Sequence, residues 1–379
     1  MKNLRNIFLL LLLICTAWAC SDSSVSIDED SIVIETLDAA VESFMQKHNV
    51  PGLAVAVTKN EKLVYAKGYG KADLESGTDV NRNSLFRVAS VSKPITGIAV
   101  MKLMEDGKLS LDATVFGEQG ILGTTYGSGP YPAALEQITV EQLLMHTTGS
   151  WPNTNSDPMF QQGSLDVYQL IHWVLDNHPV RGNPGSHYAY SNFGYALLGR
   201  IIEEVTGMGY EQYVRTEILN PIGATGIQIG GNTRADKKSG EVTYYGNSAY
   251  NMNVERLGAP GGWTASAVDL ARLLVRVDGF GRKEDILKPE TIQIMTTSSA
   301  HSNYAKGWSV NSANNWWHAG SLPGTGALIV RGSNGFNWVI LANTRPEGNA
   351  RTQFMNDMDG LMWGVLRDPN TQWPDIDLF

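Results

Sequence analysis

The chain has 379 residues, of which 42% are hydrophobic and 18% are charged. This is enough for one large folded domain or two, and it excludes an intrinsically disordered chain. The formal charge is −9, from 29 Lys and Arg against 38 Asp and Glu. An acidic balance of this kind without a basic run argues against nucleic acid or anionic lipid as a partner.

The N-terminus has the pattern of a secretory signal. Two basic residues precede an apolar run from Ile7 to Ile14, and Ala17-Trp-Ala19 follows it. The run is too short to cross a bilayer comfortably, and small residues at the first and third positions of that triplet suit a signal peptidase. We therefore predict that residues 1–19 are a signal peptide.

Cys20 follows that signal and leaves two alternatives open. It is either the lipidated N-terminal residue of a bacterial lipoprotein or the first residue after an ordinary cleavage. The polar run at residues 21–24 favours lipidation and a tether over residues 20–30, which predicts an exported protein anchored at the cell envelope, periplasmic or surface-exposed. Because the other cysteine, Cys15, lies in the signal, no disulfide is expected inside the mature chain.

The first elements after the tether are a helix and a hairpin. Apolar residues recur at helical spacing between residues 34 and 45, and the helix should end before Pro51. Residues 53–58 and 63–66 read as two strands joined by a polar turn. A helix from Ser90 to about Gly107 follows.

From residue 111 to 259 the pattern changes to helices separated by long loops. Thr139 and Gln142 have the spacing of a capping box. A helix with apolar residues at 198, 201, 202 and 205 should end at Gly207. We interpret this region as an inserted all-α domain.

The remaining chain returns to mixed structure. Ser266 should cap a helix, and residues 305–310, 314–318, 326–331 and 337–343 read as strands before a last amphipathic helix with apolar residues at 354, 358, 361 and 365. Strands at both ends of the chain predict an α+β fold, in which one antiparallel sheet from both termini is flanked by helices. Residues 31–110 and 260–379 would form this α/β sandwich domain, and residues 111–259 the insertion.

Ser90 and Lys93 are the first candidates for chemistry. Residues at i and i+3 share one helix face, so the hydroxyl and the amine can hydrogen-bond. Pro94 fits the first turn of a helix, where its missing N–H is not needed. The S-x-x-K spacing alone is weak, since Ser90 could merely cap the helix while Lys93 points to water.

Two later segments strengthen the interpretation of Ser90 and Lys93 as a catalytic pair. Tyr190 and Asn192 are two apart, so in an extended segment both side chains point the same way. Alternatively, Tyr190 is a packing aromatic and Asn192 a helix cap. His318 lies near the end of a predicted strand, with Trp316 on its face, where Trp316 would line a cleft.

The three segments Ser90-Val-Ser-Lys93, Tyr190-Ser-Asn192 and His318-Ala-Gly320 together resemble the serine β-lactamase and penicillin-binding protein family. Within it the chain is most similar to the class C β-lactamase, DD-peptidase and family VIII esterase-like branch. The similarity extends over nearly the whole mature chain, including residues 51–54, 146–149 and 261–266. It implies a β-lactamase/transpeptidase-like fold with the active site between sandwich and helical domain.

The resemblance also implies roles for these residues. Ser90 would be the nucleophile, Lys93 its proton acceptor or orienting group, and Tyr190 a group that takes and returns protons. A serine hydroxyl is a poor nucleophile until a base removes its proton, and a buried lysine can become that base. The backbone N–H groups of Ser90 and Ser321 would hold the oxyanion. Substrate-binding positions would be Asn192, His318, Gly320, Ser321 and Trp316.

One departure bears on the substrate. Many class C β-lactamases carry Lys where this chain has His318, and His at this point is more similar to the DD-peptidase side of the family. At its usual pKa of about 6.5 a histidine is only partly charged near neutrality. We therefore expect recognition of a substrate carboxylate to weaken as pH rises past neutrality.

No metal or cofactor is expected. His172 and His178 do not share a helix face, His146 reads as a capping or packing residue, and the chain has no H-E-x-x-H. A G-x-S-x-G elbow, a P-loop and a G-x-G-x-x-G after a strand are also missing from the sequence.

The sequence thus predicts a secreted serine hydrolase that forms an acyl-enzyme on Ser90. The expected substrates are D-Ala-D-Ala-like or other D-amino-acid peptides first, small esters second and β-lactams third. The alternatives are a carboxylesterase of the same fold and a sensor that binds penicillin or peptidoglycan fragments without turnover.

Overall fold

The computed structural model describes residues 32–153, 156–180 and 182–379. The predicted signal peptide and the predicted tether with Cys20 lie outside the described residues. Within the described ranges, no helix combines the length and the apolar character needed to cross a membrane.

The strands form one large and one small sheet. The large sheet has seven antiparallel strands in the order β3-β2-β1-β10-β9-β8-β7, and the small one has the order β4-β6-β5. The strands are β1 (Gly52–Lys59), β2 (Lys62–Asp73), β3 (Thr78–Asp79), β4 (Phe86–Arg87), β5 (Gln228–Ile229), β6 (Trp263–Ala265), β7 (Ser309–Val310), β8 (Trp316–Leu322), β9 (Thr325–Arg331) and β10 (Phe336–Ala342).

Helices cover both faces of the large sheet, and several more come from the chain between its N-terminal and C-terminal strands. They are α1 (Glu35–His48), α2 (Ser92–Glu105), α3 (Ala133–Glu136), α4 (Val140–Leu144), α5 (Val167–Asn177), α6 (Asn192–Thr206), α7 (Tyr210–Val214), α8 (Val254–Gly261), α9 (Ala267–Leu274), α10 (Pro289–Thr296) and α11 (Ala350–Arg367).

The two ends of the chain meet at the centre of the large sheet. β1 pairs with β10 in the antiparallel register Leu53↔Ala342 to Lys59↔Phe336. The hairpin of β1 and β2 turns through Asn60 and Glu61, whose φ angles of 51° and 63° suit a tight two-residue connection. The predicted α+β fold with one antiparallel sheet from both termini is therefore confirmed.

Alternation along β1 divides the core into two layers. Leu53, Val55 and Val57 pack in the cluster formed with α1 and α11. Ala54 and Ala56 face the other cluster, which contains α2 and α9. Because a strand buried on both faces reads as a continuous apolar run, β1 was recognisable in the sequence. The layer with α2 is the one that carries Ser90.

The chain between residues 111 and 259 is mainly helical, as expected. Thr139 and Gln142 form a reciprocal capping box at α4, and Gly207 ends α6 in the left-handed conformation. A second capping box, Asp166 with Gln169, begins α5, which the sequence reading did not single out. α8 runs across the boundary proposed at residue 259, and the division into domains stays a prediction.

One strand is much shorter than expected. The segment 305–310 contributes only β7, because Gly307 adopts a φ of 94° and turns the chain before Ser309. β7 pairs with β8 at Trp316 and Trp317. Residues 318–322 of β8 extend beyond this pairing, towards the segment that holds Ser90.

Candidate active site

Ser90 lies in a single 3-10 turn, Ala89–Val91, that leads directly into α2. Ala89 has a φ of 49°, a left-handed conformation that is uncommon for residues other than glycine. Such strain is retained where the surrounding structure requires it, and it marks candidate functional positions. Ser90 is partly exposed, while Ala89 and Val91 on either side are buried. The turn therefore presents the hydroxyl at the surface of a cleft.

Lys93 is completely buried and has three hydrogen-bond partners. Its Nζ lies 3.2 Å from Ser90 Oγ, 2.7 Å from Asn192 Oδ1 and 2.8 Å from the carbonyl oxygen of Pro260. Burial lowers the pKa of Lys93 to about 7, against the opposing effect of the Asp157 charge. At pH 7 about half of the molecules then carry a neutral amine, compared with about 0.04% at the usual lysine pKa.

The positions of these partners make the neutral amine a directed base. A neutral amine has two N–H groups and one lone pair. Asn192 Oδ1 and the Pro260 carbonyl oxygen can only accept, so they take the two N–H groups. The lone pair is left for the third partner, the hydroxyl of Ser90. The arrangement is therefore suited to removing the proton of Ser90.

Tyr190 completes the catalytic group that the sequence predicted. Its phenol interacts with the Ser90 side chain, and Lys93 Nζ lies 4.8 Å from the centre of its ring. Burial raises the pKa of Tyr190, and the Ser90 bond opposes this only in part. The phenol is thus protonated at neutral pH. It can donate a proton, while Lys93 is the group able to accept one.

Asn192 is the first residue of α6, and it is not the helix cap. Ser191 has that role, since its Oγ accepts the N–H of Gly194 at 3.0 Å. The amide of Asn192 is free to bridge two charged residues: its oxygen accepts from Lys93, and its Nδ2 donates to Asp157 Oδ2 at 2.7 Å. The alternative that Asn192 caps the helix is therefore wrong.

Gly320 brings β8 against the nucleophile turn. A Cβ built at position 320 would overlap the carbonyl oxygen of Val88, two residues before Ser90. Only glycine permits this approach of backbone to backbone. The next residue, Ser321, lines the same cleft as Ser90. Both predicted oxyanion donors therefore belong to segments in direct contact.

His318 lies in the same region but is not partly charged near neutrality. The side chain is 5% exposed, its Nδ1 lies 2.8 Å from the carbonyl oxygen of Ala319, and its Nε2 lies 3.0 Å from the hydroxyl of Tyr304. Burial and the charge of Lys93 lower the pKa of His318 to about 3. The expectation of a titration near neutrality is wrong, because burial and the charge of Lys93 outweigh the opposing hydrogen bond to the Ala319 carbonyl.

Trp316 shares the face of His318, as predicted, but it does not line the cleft. It is buried between Trp308, whose ring centre is 6.5 Å away, and the guanidinium of Arg331 at 4.3 Å. Its Nε1 donates to Asn314 at 2.6 Å. The assignment of Trp316 as a substrate contact is therefore corrected: this tryptophan supports β8 from the core.

The cleft at Ser90 has a volume of about 290 Å³. Its wall contains both polar side chains, among them two arginines, and apolar ones. The polar residues are Ser90, Asn153, Asn192, Ser321, Arg345 and Arg351, and the apolar ones include Phe160, Leu257, Pro260, Leu322 and Pro323. A substrate with both polar or acidic groups and apolar groups would suit this lining.

A larger open cleft of about 780 Å³ lies between α6, α7 and α8. Its charged groups pair with one another, as in Arg200 with Glu203 at 2.7 Å and Arg215 with Glu211 at 3.7 Å. Ser90, Lys93 and Tyr190 are not part of its lining. Volume alone would favour this larger cleft as the active site. The positions of Ser90, Lys93 and Tyr190 favour the smaller one.

Several residues of the site had no motif to reveal them. Asp157 stands behind Asn192, and the Pro260 carbonyl is directed at Lys93. His146 packs with its ring centre 4.3 Å from that of Tyr190, and Tyr304 lies 4.6 Å from His146. The sequence Asp157-Pro158 is a recognisable cap signal, but that signal indicates a turn and not a catalytic neighbour.

Within the described ranges, no group of three His, Cys, Asp or Glu side chains is arranged to hold a metal ion. The groups that contact Ser90 are an amine and a phenol. Together with the β8 backbone they are the kinds of group that a serine hydrolase needs, and the amine and the phenol lie where they could transfer protons.

A family model described as Beta-lactamase matches residues 37–361, which include every residue of this site. The chain belongs to the beta-lactamase family, the family of serine β-lactamases and penicillin-binding proteins. The predicted family is thereby confirmed, and the chain is a serine hydrolase.

Individual relatives are distant. Protein flp of Staphylococcus aureus (strain NCTC 8325 / PS 47) is 25% identical over 332 residues, which cover 83% of this chain and 64% of that protein. The match thus spans less than two thirds of the relative. Esterase EstB of Burkholderia gladioli is 28% identical over 218 residues, 55% of this chain and 54% of EstB.

Among solved structures, the octameric penicillin-binding protein homologue from Pyrococcus abyssi superposes with a TM-score of 0.72 at 25% sequence identity. The superposition covers 90% of this chain and 79% of that one. The sandwich with its helical region is therefore the fold of this family.

Proposed function

We propose that this protein hydrolyses peptides or amides of D-amino acids, of the D-Ala-D-Ala type, through an acyl-enzyme on Ser90. The observation that carries the proposal is the position of Lys93, whose two fixed acceptors leave its lone pair for the Ser90 hydroxyl. The amine takes the proton as Oγ bonds to the substrate carbonyl carbon. The backbone N–H groups of Ser90 and Ser321 hold the oxyanion.

Tyr190 then acts on the leaving group. When the C–N bond breaks, the phenol donates its proton to the departing amine, and the ammonium of Lys93 restores the phenol. Water next attacks the ester carbonyl, its proton passes to the Lys93–Tyr190 pair, and the acid leaves as Ser90 Oγ recovers a proton. Because burial keeps Tyr190 protonated, its first role is that of an acid.

Arg345 and Arg351 support a substrate with a free carboxylate. Both line the cleft with Ser90. Burial, and next to it the charge of Arg351, lowers the pKa of Arg345. His318 is neutral and its nitrogens are occupied, so it does not supply a positive charge. The arginines can bind a carboxylate in its place.

A substrate pair can test this assignment. In Arg351→Ala, KM for a dipeptide ending in a free D-Ala carboxylate should rise about tenfold, as expected for a lost charged hydrogen bond. KM for the matching dipeptide amide should stay unchanged. Equal effects on both substrates would remove the arginine from carboxylate recognition.

The second candidate is a carboxylesterase. The similarity to Esterase EstB and the apolar wall that includes Phe160 and Leu257 favour this alternative. Esters and amides present the same carbonyl to Ser90, but an ester needs no protonation of a nitrogen leaving group. Tyr190→Phe should therefore reduce amide hydrolysis much more than hydrolysis of a p-nitrophenyl ester.

The decisive experiment compares purified protein with Ser90→Ala on D-amino-acid amides, p-nitrophenyl esters and nitrocefin, together with intact-mass detection of a fluorescent penicillin adduct. Turnover of D-amino-acid amides that is lost in Ser90→Ala supports the first proposal, and turnover of esters alone supports the second. A lasting penicillin adduct without turnover of any substrate indicates the sensor. Unchanged rates in Ser90→Ala would refute the mechanism.

Export and lipidation of Cys20 complete the proposal. They are supported by the basic, apolar and small-residue order of residues 1–19 and by the polar run after Cys20. Metabolic labelling with a palmitate analogue should mark the wild type and leave Cys20→Ala unmarked. A labelled Cys20→Ala variant would place the lipid elsewhere.

A further inference from the structure

A buried carboxylate lies directly behind the catalytic group. Asp157 is 6% exposed and stands before the 3-10 turn Pro158–Phe160. Its Oδ1 accepts the N–H of Met159 at 3.0 Å, and its Oδ2 accepts Nδ2–H of Asn192 at 2.7 Å. The chain Asp157–Asn192–Lys93–Ser90 is therefore continuous, with each link at hydrogen-bonding distance.

We propose that Asp157 is a positioning residue of this active site: its carboxylate holds the Asn192 amide with the oxygen towards Lys93, and its negative charge acts on that amine. The inference rests on the proposed function in so far as Lys93 is the base. It adds a residue that neither the S-x-x-K nor the Y-x-N motif contains.

Asp157 fixes the orientation of the Asn192 amide. An amide group can turn by 180° and exchange its oxygen and nitrogen positions. A carboxylate only accepts hydrogen bonds, so Asp157 can face only the Nδ2 side of Asn192. The oxygen must then face Lys93, where it takes one N–H of the amine. A reversed amide would direct its N–H groups at Lys93, which has its own N–H groups there.

Asp157 also supplies a negative charge that acts on Lys93. The titratable groups that face Lys93 are the rings of Tyr190 and Tyr195, at 4.8 and 5.5 Å, together with His146, His318 and Asp157. Burial raises the pKa of both tyrosines and lowers that of both histidines, so these four groups are neutral near pH 7. In the part of the chain that the structure describes, Asp157 is the anion that acts on Lys93.

Asp157 itself is held as a carboxylate by its donors. Burial raises the pKa of Asp157, and the hydrogen bonds from Asn192 and Met159 and the charge of Lys93 oppose this rise only in part. Both oxygens accept from N–H groups, which a protonated carboxyl could not do as well. The removal of this charge should therefore favour the neutral form of Lys93.

The variants Asp157→Asn and Asp157→Ser separate the two effects. Asparagine keeps the size but has one oxygen for two donors, and its N–H₂ can reverse the Asn192 amide. Serine is a good cap and can still accept the Met159 N–H, but it carries no charge. Asp269→Asn is the matched control, because Asp269 is a partly buried carboxylate that accepts a hydrogen bond from Ser266, the residue that caps α9.

The measurement is the titration of Lys93, followed by NMR of protein with ¹³Cε-labelled lysine and assigned by the signal that Lys93→Arg loses. The midpoint should fall by about one pH unit in both Asp157 variants and stay unchanged in Asp269→Asn. The acid limb of kcat/KM for p-nitrophenyl acetate should move by the same amount. In Asp157→Asn, kcat/KM at the optimum should also fall about tenfold or more.

Each outcome has a definite meaning. A Lys93 midpoint that stays within 0.2 unit in both variants, with folding intact by thermal melts, overturns the inference even if the enzyme is active. Failure of both variants to fold also overturns it, because Asp157 would then be a purely structural cap. The Lys93 midpoint could shift in the Asp157 variants while the wild-type protein hydrolyses none of the substrates. This result would refute the proposed function but support the placement of Asp157.

Discussion

The carbonyl oxygen of Val88 occupies the space that a side chain at Gly320 would need. β8 therefore lies against the turn before Ser90, and the N–H of Ser321 follows one residue later. In Gly320→Ala, β8 has to move away from the turn. We expect kcat to fall about 10²–10³-fold, since one oxyanion donor is displaced. Steady-state kinetics on a p-nitrophenyl ester will measure this, and a variant with wild-type kcat would disprove the role of this approach.

Gly360→Ala is the matched glycine variant. Gly360 lies inside α11, and a Cβ there would meet no atom within 4 Å. Alanine is the better helix former, so the free energy of unfolding should increase by about 0.5–1 kcal/mol. Urea titration will measure the change, and activity should remain that of the wild type. Destabilisation at this site would contradict the described environment of α11.

The activity should depend on pH through Lys93. Only the neutral amine can accept the Ser90 proton, and burial lowers the pKa of Lys93 to about 7. The specificity constant kcat/KM should therefore be low below that pH and rise through about pH 7 to a plateau. A p-nitrophenyl ester assayed between pH 5 and 9 will show the limb, after correction for spontaneous hydrolysis.

Lys93→Arg tests the same base. A guanidinium stays protonated throughout this range, so the variant should lose about 10²–10⁴ in kcat/KM and should lack the limb near pH 7. Lys306→Arg is a suitable control, because Lys306 is also buried but pairs with Glu141 at 3.0 Å. A limb that persists in Lys93→Arg would assign it to another group.

The elements with strong local signals could be predicted from the sequence. α6 has an i, i+3, i+4, i+7 apolar stripe and a glycine at its end, and β1 is an apolar run buried on both sides. The groups around Ser90 could be named for the same reason, because Ser90 and Lys93 share one turn and Tyr190 and Asn192 one short segment. Local spacing brings the members of each pair together, and the resemblance of the three segments to the family assigned their roles.

The rest depends on contacts between distant segments. Asp157 hydrogen-bonds with Asn192, 35 residues further along the chain. Tyr304, in a loop before β7, hydrogen-bonds with the Nε2 of His318. The alternation of side chains along β8 correctly predicted that Trp316 and His318 share one face of the strand. It could not predict which part of that face other residues bury. Trp308 and Arg331 cover it at Trp316, so the cleft begins further along β8.

The hydroxyl of Tyr304, which hydrogen-bonds with His318, can be removed while the aromatic ring stays in place. In Tyr304→Phe, the Nε2 of His318 loses the hydroxyl at 3.0 Å and remains buried. An unpaired buried acceptor costs about 1–3 kcal/mol, so the free energy of unfolding should fall by that amount. Tyr168→Phe, at a half-exposed tyrosine bonded to Glu203, should change it by less than about 0.5 kcal/mol. Equal effects in urea titrations would mean that the buried bond contributes nothing special.

Asp278 should make the stability of the protein depend on pH in an unusual direction. Burial raises the pKa of this carboxyl to about 6, with Glu61 and Asp285 as further negative neighbours. Its oxygens accept from the N–H of Phe280 at 3.0 Å and from Asn337 at 2.8 Å. The folded state therefore keeps a proton between about pH 4 and 6 that the unfolded chain releases, and ionisation above pH 6 costs stability.

The extra proton on Asp278 in the folded state sets the direction in which the free energy of unfolding changes with pH. The contribution of Asp278 to the free energy of unfolding should decrease as pH rises from about 4 through 6, by about 2–3 kcal/mol for a shift of roughly two units. Asp278→Asn cannot ionise, so its stability relative to the wild type should improve over the same interval. Urea titrations of both proteins at pH 4, 5, 6 and 7 will measure the difference, in which the other titrating groups cancel. Asp375→Asn, at an exposed carboxylate paired with Lys62, should show no such gain. A difference between Asp278→Asn and the wild type that is constant from pH 4 to 7 would show that folding does not raise the pKa of Asp278.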